Sequence, residues 1–319
     1  MRKVLLAEPI NYKQALRPLE GLAAIETATS FHEDDILENA YACDAIIVWR
    51  TRISRKVIEA ASKLKIIAER GVGVDHIDVK AATEKGIYVT NIPGVNTVAV
   101  AEHTLGLILA LSKMIPWSDG FIKARRWGTE EIPEVAFELR GRTLGVIGLG
   151  KIGSEVSRIA DSFGMKILAY DPYVQKDHAV AVGAELVDLQ TLLRSSDIVS
   201  VHVSLTSETG NMLDEEEFKI MKKSAIVVNT SRAGIIDKEA LYRALREKWI
   251  NAAGLDVFPQ EPLDPRDPLL SLDNVALTPH IAGMPARPKA ALEAAEEVAR
   301  VLQGKPPLHP VNRIEPILP

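Results

Sequence analysis

Short apolar runs alternate with helix-like segments along most of the 319-residue chain. In the first block, strands are predicted at 4–7, 44–49, 64–68 and 87–90, with helices at 34–40, 54–61 and 79–85 between them. Strands that are apolar over nearly their whole length are typical of a parallel sheet covered by helices on both faces. The pattern therefore predicts a compact α/β domain up to about residue 95.

A second block repeats this alternation after the breaker-rich segment 91–96 and a long apolar helix predicted at 98–113, with Thr97 as its N-cap. Its predicted strands are 143–147, 166–170, 184–187, 197–203, 224–229, 252–256 and 274–277, and its predicted helices are 151–163, 188–194, 214–221 and 237–247. Six or seven strands in this rhythm predict a doubly wound parallel sheet, which binds its ligand at the carboxyl ends of the strands.

The last predicted helix, 288–303, follows both blocks and would return the chain to the first domain. The expected fold class is therefore α/β with two domains. One is a doubly wound, dinucleotide-binding Rossmann domain of residues 97–286, and the other is a discontinuous domain of residues 1–96 and 287–319.

A glycine-rich turn, GLGKIG, joins the predicted strand 143–147 to the helix that follows it. Gly148 lets the chain turn, Gly150 lets the backbone approach a pyrophosphate, and Gly153 lets the helix lie close to the strand. The pyrophosphate would lie on the N–H groups at the start of the helix, at Lys151 and Ile152. The same letters also occur in ordinary turns between a strand and a helix, so the surrounding sequence must decide.

The next predicted strand ends in Asp171, eighteen residues after Gly153. This is where a dinucleotide-binding unit places a carboxylate that accepts hydrogen bonds from the adenosine ribose. Pro172 and Tyr173 follow, without an Arg or Lys that would neutralise a 2′-phosphate. The sequence therefore predicts an NAD site, with NAD favoured over NADP.

Composition limits the possible partners. The chain is 47% apolar and 25% charged, with a net charge of −5, so it has no overall basic field that would attract nucleic acid or an anionic membrane. The single cysteine, Cys43, indicates a reducing compartment, and no Cys/His spacing suggests a metal. The N-terminal apolar run is too short for a signal peptide, and no window approaches 18 uninterrupted apolar residues. We expect a cytoplasmic protein.

Three polar side chains follow predicted strands of the second block. Arg232 lies in a turn of small residues, Asp256 ends a strand before a proline-rich loop, and His280 follows Pro279 after a short apolar strand. Most arginines in loops are solvated and most single histidines are structural. These three differ in position, because the carboxyl ends of parallel strands meet at the ligand-binding edge of the sheet.

The ordered motifs GLGKIG, NTSRAGIID, GLDVFPQEPL and TPHIAG resemble those of the D-2-hydroxyacid dehydrogenase family. The segments ERGVGVDHID and AEHTLG extend the likeness over nearly the whole chain. The resemblance implies a Rossmann NAD-binding domain, a flavodoxin-like substrate domain, and hydride transfer between NAD and a small anionic 2-hydroxy or 2-oxo acid.

The resemblance also implies roles for individual residues. His280 matches the general acid/base that exchanges a proton with the C2 oxygen of the substrate, and Glu261 matches the carboxylate that fixes its ring. Arg232 matches the arginine that pairs with the substrate carboxylate and carbonyl. The other cofactor-binding positions are Thr206, Thr230, Ser231, Asp256 and Gly283, together with Arg232 and His280.

In the first domain the resemblance implies that backbone N–H groups of Val72 and Gly73 hold the substrate carboxylate. The likeness is closest to the short phosphoglycerate dehydrogenases, in which the positions of Arg50, Thr51 and Asn96 hold the substrate phosphate. The other expected substrate-binding residue is Arg70, and the basic stretch that includes Arg50, Arg52, Arg55, Lys56 and Arg70 would supply a local positive field. A solvated basic face is the alternative.

Two departures from the family pattern bear on these expectations. MPAR follows the HIAG motif, at residues 284–287, where the family places a small hydroxyl residue. The chain also ends where many phosphoglycerate dehydrogenases continue into a regulatory domain, so serine feedback through such a domain is not expected. Two other activities remain open: a glyoxylate or hydroxypyruvate reductase on the same scaffold, and an NAD-sensing corepressor that retains the same catalytic positions.

The segment 116–140 has poor periodicity and carries Trp117, Phe121, Trp127 and Phe137. It is either a packed surface excursion or an arm that contacts another subunit, and the sequence favours neither. We expect a homodimer or a higher homo-oligomer.

Overall fold

The structure is a computed structural model that describes residues 2–30, 32–127 and 136–314. It divides into two compact units, one of residues 1–96 and 284–319 and the other of Thr97–Gly283. The short 3-10 turn Met284–Ala286 therefore groups with the final helix rather than with the second unit.

The first unit contains five strands and four α-helices within the described residues. The strands are β1 (Arg2–Leu6), β2 (Ala23–Thr27), β3 (Ala45–Val48), β4 (Ile66–Glu69) and β5 (Tyr88–Thr90), and the helices are α1 (Glu33–Ala40), α2 (Arg55–Ala60), α3 (Val79–Glu84) and, at the end of the chain, α11 (Arg287–Leu302). A 3-10 helix, Lys13–Leu19, connects β1 to β2.

The second unit contains seven strands and seven α-helices within its described residues. The strands are β6 (Thr143–Ile147), β7 (Lys166–Tyr170), β8 (Ala184–Leu186), β9 (Ile198–Val201), β10 (Ile226–Asn229), β11 (Ala252–Leu255) and β12 (Val275–Leu277). The helices are α4 (Thr97–Ser112), α5 (Ile115–Lys123), α6 (Lys151–Ser162), α7 (Lys176–Ala181), α8 (Leu189–Ser195), α9 (Glu215–Ile220) and α10 (Lys238–Arg246).

The sheet of the first unit is parallel, in the order β2-β1-β3-β4-β5, which is the flavodoxin order. One face is covered by α11, whose fully buried Ala291, Ala294 and Ala295 pack in the same apolar cluster as Ile47 and Ile66. Small alanines on this face let the helix lie close to the strands.

The sheet of the second unit is also parallel, in the order β12-β11-β10-β9-β6-β7-β8. Chain order reverses between β6 and β9, which is the switch point of a doubly wound sheet, where ligands bind. Separate apolar clusters cover the two faces, and the long helix α4 belongs to one of them. The predicted fold class, Rossmann plus flavodoxin-like α/β, is confirmed.

The predicted strands and most predicted helices lie within a few residues of the observed ones. Strand β2 and the 3-10 helix before it were not predicted, because β2 is an edge strand whose last three residues are exposed and which lacks a buried apolar run. Helix α7, of six residues, was too short to produce a clear period. Thr97 is the first helical residue of α4 rather than its cap. Residues 128–135 of the predicted excursion lie outside the described residues.

Among the described residues, no single helix is both long and apolar enough to cross a membrane. Helices α4 and α5 reach that length and composition only as a pair, bent by 60° between them. The described residues also contain no group of three or more His, Cys, Asp or Glu side chains that would hold a metal ion.

Candidate active site

The glycine-rich turn after β6 has the backbone that a pyrophosphate site needs. Gly148 has a φ of +92°, and a Cβ there would lie 2.8 Å from a Val203 methyl group. A Cβ on Gly153 would collide with the carbonyl oxygen of Gly148, so helix and turn can approach this closely only without a side chain. Gly150 faces open space, with no atom within 4 Å of a Cβ position. The turn therefore fits a dinucleotide phosphate, which would approach at Gly150.

The first residues of α6 place N–H groups beside that open space. Lys151 is exposed and Ile152 is half-buried, and both lie in the first turn of the helix, where N–H groups have no partner within the helix. The predicted pyrophosphate-binding positions are therefore at the accessible end of the helix.

Asp171 follows β7 and connects two loops. Its Oδ2 accepts a hydrogen bond from the N–H of Leu149, 2.9 Å away, and its Oδ1 accepts one from the N–H of Tyr173 at 3.0 Å. A carboxylate has about four acceptor positions, so these two bonds leave capacity for ribose hydroxyls. Pro172, next to it, is exposed.

In the sheet, β7 and β9 flank β6 on opposite sides. The loop after β9 therefore lies on the side of the glycine-rich turn opposite to Asp171. Thr206 is exposed there, and its hydroxyl lies within hydrogen-bond distance of the N–H groups of Glu208 and Thr209, so it shapes the turn. Tyr173 donates its hydroxyl hydrogen bond to Glu208 at 2.9 Å, which links this loop to the loop after β7.

Asn229 organises the turn after β10. Its Oδ1 accepts from the N–H and the hydroxyl of Ser231, and its Nδ2 donates to the carbonyl of Arg232 at 2.9 Å. The guanidinium of Arg232 is half-buried and donates to the Ser231 carbonyl at 2.8 Å. Thr230 is buried, with its hydroxyl 2.9 Å from that of Thr104 on α4. The turn therefore presents Arg232 from a fixed backbone.

Asp256, immediately after β11, is fully buried. Its Oδ1 accepts from the hydroxyl of Thr278 at 2.6 Å and from the N–H of Ile281 at 2.9 Å, while its Oδ2 accepts from the N–H of Ala282 at 2.9 Å. His103 Nε2 lies 2.9 Å from the same Thr278 hydroxyl. Asp256 was expected among the cofactor-binding residues, and in the structure its carboxylate holds the turn that carries His280.

His280 lies within this turn in a left-handed conformation, with a φ of +55°. A non-glycine residue with positive φ is costly and persists only where neighbouring bonds determine the backbone. Asp256 supplies those bonds. Gly283, half-buried, ends the segment.

The Nδ1 atom of His280 lies 2.7 Å from Oε2 of Glu261. The other oxygen of Glu261 accepts from the N–H of Phe258 at 3.1 Å. The carboxylate therefore accepts a hydrogen bond from Nδ1 and fixes the ring, with Nε2 on the opposite side of the ring. Because β10, β11 and β12 are neighbours in the sheet, the turns that carry Arg232, Glu261 and His280 lie at one edge.

In the first unit, Glu8 follows β1 and holds the turn after β3. Its Oε1 accepts from the N–H groups of Arg50 and Thr51, both at 2.7 Å, and from the Thr51 hydroxyl at 2.8 Å. Its Oε2 accepts from the N–H of Trp49 at 2.9 Å and from Nη2 of Arg70 at 3.3 Å. Thr51 is only 4% exposed, and its hydroxyl proton is used by Glu8.

The expected carboxylate-binding loop follows β4. Val72 is exposed and its carbonyl accepts from Nδ2 of Asn91 at 2.6 Å, while the neighbouring Gly73 is half-buried. Asn96 ends the first segment of this unit, and its Oδ1 is buried without a hydrogen-bond partner among the described residues. Arg70 is buried beside Glu8.

The basic stretch is divided by the structure. Arg55 donates to Glu84 at 2.8 Å, and Lys56 lies 3.5 Å from Asp34. Both cations are thus paired with carboxylates of α3 and α1, which reduces what they would add to a local positive field. Arg50 and Arg70 remain near the turn after β3.

Neither the role of Glu8 nor the role of Asp256 in holding the His280 turn was predicted from the sequence. Both could have been found from position, since each is a carboxylate within two residues of a strand end at the carboxyl edge of a parallel sheet. Their hydrogen-bond partners lie 41 to 62 residues away for Glu8 and 22 to 26 for Asp256. No local pattern in the sequence specifies such partners.

A buried acid, Glu69, and a half-buried histidine, His76, lie next to each other close to Arg70 in the chain. Glu69 Oε2 is 3.0 Å from Nε2 of His76, and Glu69 is 2% exposed. Burial raises the pKa of Glu69 to about 7, against the opposing effect of His76. The two atoms are within ion-pair distance, but neither meets hydrogen-bond geometry with a partner among the described residues.

The raised pKa of Glu69 predicts a pH-dependent loss of stability. The folded protein holds the proton more tightly than the unfolded chain, whose value is about 4.5, so this contribution is complete below pH 4.5 and is lost as the pH rises through about 7. We expect Glu69→Gln to flatten the fall in urea midpoint between pH 5 and pH 8. The exposed Glu20→Gln is the control, and an unchanged slope in Glu69→Gln would contradict the assignment.

The glycine-rich turn predicts different results for two matched substitutions. Gly153→Ala places a methyl group against the Gly148 carbonyl and should lower stability by about 1–3 kcal/mol, the usual cost of overpacking. Gly150→Ala has room and should fold normally, while its methyl group blocks the approach of the pyrophosphate and weakens NAD binding at least tenfold. Thermal unfolding and NAD titration check both, and unchanged NAD affinity in Gly150→Ala would place the phosphate elsewhere.

Comparisons with known proteins agree with this geometry. The family model for the NAD-binding domain of D-isomer specific 2-hydroxyacid dehydrogenases matches residues 105–282. A D-3-phosphoglycerate dehydrogenase of Methanocaldococcus jannaschii is 44% identical over 310 residues, covering 96% of this chain and 58% of the relative. A glyoxylate reductase of Korarchaeum cryptofilum is 44% identical over 283 residues, covering 87% of this chain and 85% of the relative.

A crystal structure of a Thermus thermophilus protein is similar throughout, with a TM-score of 0.90, 35% identity, and coverage of 97% of this chain and all of that one. The chain spans 58–60% of the length of the first two phosphoglycerate dehydrogenases that it resembles. The second unit is an NAD-binding domain. The chain belongs to the D-isomer specific 2-hydroxyacid dehydrogenase family.

Proposed function

We propose that this protein is an NAD-dependent D-2-hydroxyacid dehydrogenase that oxidises 3-phosphoglycerate to 3-phosphohydroxypyruvate. The observation that carries the proposed reaction is the 2.7 Å contact between His280 Nδ1 and Glu261, on a turn fixed by buried Asp256. This is the arrangement of a general acid/base with an orienting carboxylate. Arg232, on a neighbouring strand end, supplies a cation at the same edge of the sheet.

The residues then have the following roles. Nε2 of His280 takes the proton of the substrate C2 hydroxyl during oxidation and returns it during reduction, while Glu261 keeps Nδ1 protonated and balances the charge of the imidazolium. Arg232 holds the substrate carboxylate and the C2 oxygen through its forked guanidinium. Bound NAD supplies the hydride-transfer chemistry.

The same proposal assigns the remaining positions. The backbone N–H groups of Val72 and Gly73 bind the substrate carboxylate, and Arg50, Arg70 and Asn96 bind its phosphate. Thr51 stabilises the loop through Glu8. Cofactor contacts come from the Gly148–Gly153 turn with Asp171 and Pro172, and from Thr206, Thr230, Ser231, Asp256 and Gly283.

Glyoxylate or hydroxypyruvate reduction is the second candidate. The glyoxylate reductase of Korarchaeum cryptofilum is as similar in sequence as the phosphoglycerate dehydrogenase, and the chain covers more of its length. A corepressor role would leave little or no turnover with any of these acids, so the same kinetic measurements separate it from both enzymes.

We further propose a place in serine biosynthesis, a cytoplasmic location and a homodimer. The support for a dimer is the exposed apolar surface of α5 and its neighbourhood, where Ile115, Ile122 and Trp127 are 55%, 49% and 90% exposed. Trp117 stacks on Phe121 in the same helix, with ring centroids 5.1 Å apart. Aromatic and aliphatic side chains of this kind are frequent at subunit interfaces.

Steady-state kinetics with NAD or NADH test the substrate. We expect kcat/KM for 3-phosphohydroxypyruvate to exceed that for glyoxylate and hydroxypyruvate by at least tenfold, because a charge-assisted contact to phosphate strengthens binding by about that factor. A clear preference for the unphosphorylated acids would favour the reductase assignment.

Replacement of His280 tests the acid/base. We expect His280→Asn to lower kcat by about 10²–10⁴-fold with NAD binding retained, and Asn is suited to the positive φ that Ala would strain. Glu261→Gln should lower kcat less, because the ring loses its charged partner but keeps a hydrogen bond. Near-normal turnover in His280→Asn would show that another group moves the proton.

A further inference from the structure

A carboxyl group and an imidazole meet at the base of the loop that follows β4. Glu69 is the last residue of β4 and is 2% exposed, and His76, farther along the loop, is half-buried. Oε2 of Glu69 lies 3.0 Å from Nε2 of His76. Both atoms are buried, and neither has a hydrogen-bond partner among the described residues. The contact between these two side chains therefore closes the loop of residues 70–76.

The backbone of this loop is held at both ends and open in the middle. The carbonyl of Gly71 accepts a hydrogen bond at 2.7 Å from the segment after β5, and that of His76 accepts one at 2.9 Å from the segment between β3 and α2. Among the described residues, no oxygen accepts a hydrogen bond from the N–H groups of Val72 and Gly73. The middle of the loop therefore has two N–H groups available for a ligand.

The Glu69 carboxyl group lies against the backbone of the loop. A Cβ on Gly71 would come within 2.9 Å of Oε1 of Glu69, so a side chain at position 71 would displace the carboxyl group. The N–H groups of Val72 and Gly73 belong to the next two residues. A negative charge on Glu69 therefore acts on an anion held by these N–H groups, because charges interact over several ångströms where water is largely excluded.

Several charged groups determine the ionisation of Glu69. Burial raises the pKa of Glu69 to about 7, His76 acts to lower it, Glu8 raises it and Arg70 lowers it. Asp75 is the other titratable side chain of the loop. With its proton, the Glu69 carboxyl group is neutral, and without it a negative charge is buried next to the loop. The electrostatic environment of the two available N–H groups thus changes when Glu69 titrates.

We propose that Glu69 and His76 are positioning residues for substrate binding. The pair shapes the loop 70–76 and sets the charge next to the N–H groups of Val72 and Gly73, which hold the substrate carboxylate. Protonated Glu69 favours binding of the anion, and ionised Glu69 opposes it. This inference rests on the proposed function of the loop, and it gives the affinity for substrate a pH dependence of its own, separate from that of proton transfer.

The test is the KM for hydroxypyruvate between pH 5.5 and pH 8.5 at saturating NADH, compared between the unaltered protein and Glu69→Gln. Gln keeps the shape of the neutral carboxyl group. We expect the ratio of the two KM values, unaltered over Glu69→Gln, to be near one at pH 5.5 and to rise about three- to tenfold as the pH passes about 7. Titration of His280 cancels in this ratio because both proteins carry it, and kcat should keep the same pH dependence in both.

Replacement of the histidine should move the effect rather than remove it. Because His76 acts to lower the pKa of Glu69, we expect the rise in KM to begin at a higher pH in His76→Asn. Glu297→Gln is the matched control. Glu297 is also 2% exposed, and its Oε1 lies 2.8 Å from Nδ1 of His309, but it belongs to α11 and not to the loop. The control should keep the KM profile of the unaltered protein even where it lowers stability.

A binding measurement gives a result that does not depend on turnover. Oxamate, an unreactive carboxylate analogue of a 2-oxo acid, should bind the NADH complex with the same rise in the ratio of Kd values, unaltered over Glu69→Gln. A ratio that stays constant across the pH range would overturn the inference. If that constant ratio differs from one, the role of Glu69 is merely structural.

The outcomes for this pair and for the proposed function are distinct. Absence of turnover with every 2-oxo acid would refute the dehydrogenase assignment itself. Turnover in which Glu69→Gln and the unaltered protein share one KM profile would refute only the role of Glu69 and His76. A rise in the KM ratio that occurs at the same pH in His76→Asn as in the unaltered protein would refute the part assigned to His76.

Discussion

Carboxylates at the ends of parallel strands hold the backbone of the neighbouring strand's turn, and the functional side chains depend on this arrangement. Glu8 after β1 accepts from the turn after β3, Asp171 after β7 from the turn after β6, and Asp256 after β11 from the turn after β12. Turns leave N–H groups without strand partners, and buried ones must find acceptors. A carboxylate one strand away satisfies two or three of them at once and fixes the turn.

The fixed turns explain how reactive groups keep their orientation. His280 has a positive φ that a free loop would relax, and the bonds from Asp256 to the two following N–H groups prevent this. Glu261 then has only to fix the orientation of the His280 ring. In the first unit, Glu8 does the same for the turn of Arg50 and Thr51 and leaves Arg50 against Trp49. The turn of His280 and the turn of Arg50 thus each combine a rigid backbone with an exposed side chain.

The local charge on the surface depends on which side chains form ion pairs, and not only on the overall composition of the chain. The chain is acidic overall, yet the buried Arg70 pairs with Glu8, a carboxylate that also accepts from three backbone N–H groups. The neighbouring Arg55 and Lys56 are paired on the surface, where such pairs contribute little to stability. Which basic side chains are paired therefore depends on the elements that folding brings together, and counting basic residues along the sequence does not reveal it.

The sequence by itself determined the two α/β domains, the strands, the glycine-rich turn with Asp171, and the ordered motifs that indicated the family. These follow from local apolar periods and from spacings within single segments. Tertiary structure alone decided that Glu8 and Asp256 hold turns, that Thr51 faces Glu8, that Arg55 and Lys56 are neutralised, and that Arg287 joins Arg50 at Trp49. Each of these depends on a partner many residues away, which folding brings into contact and which no local pattern specifies.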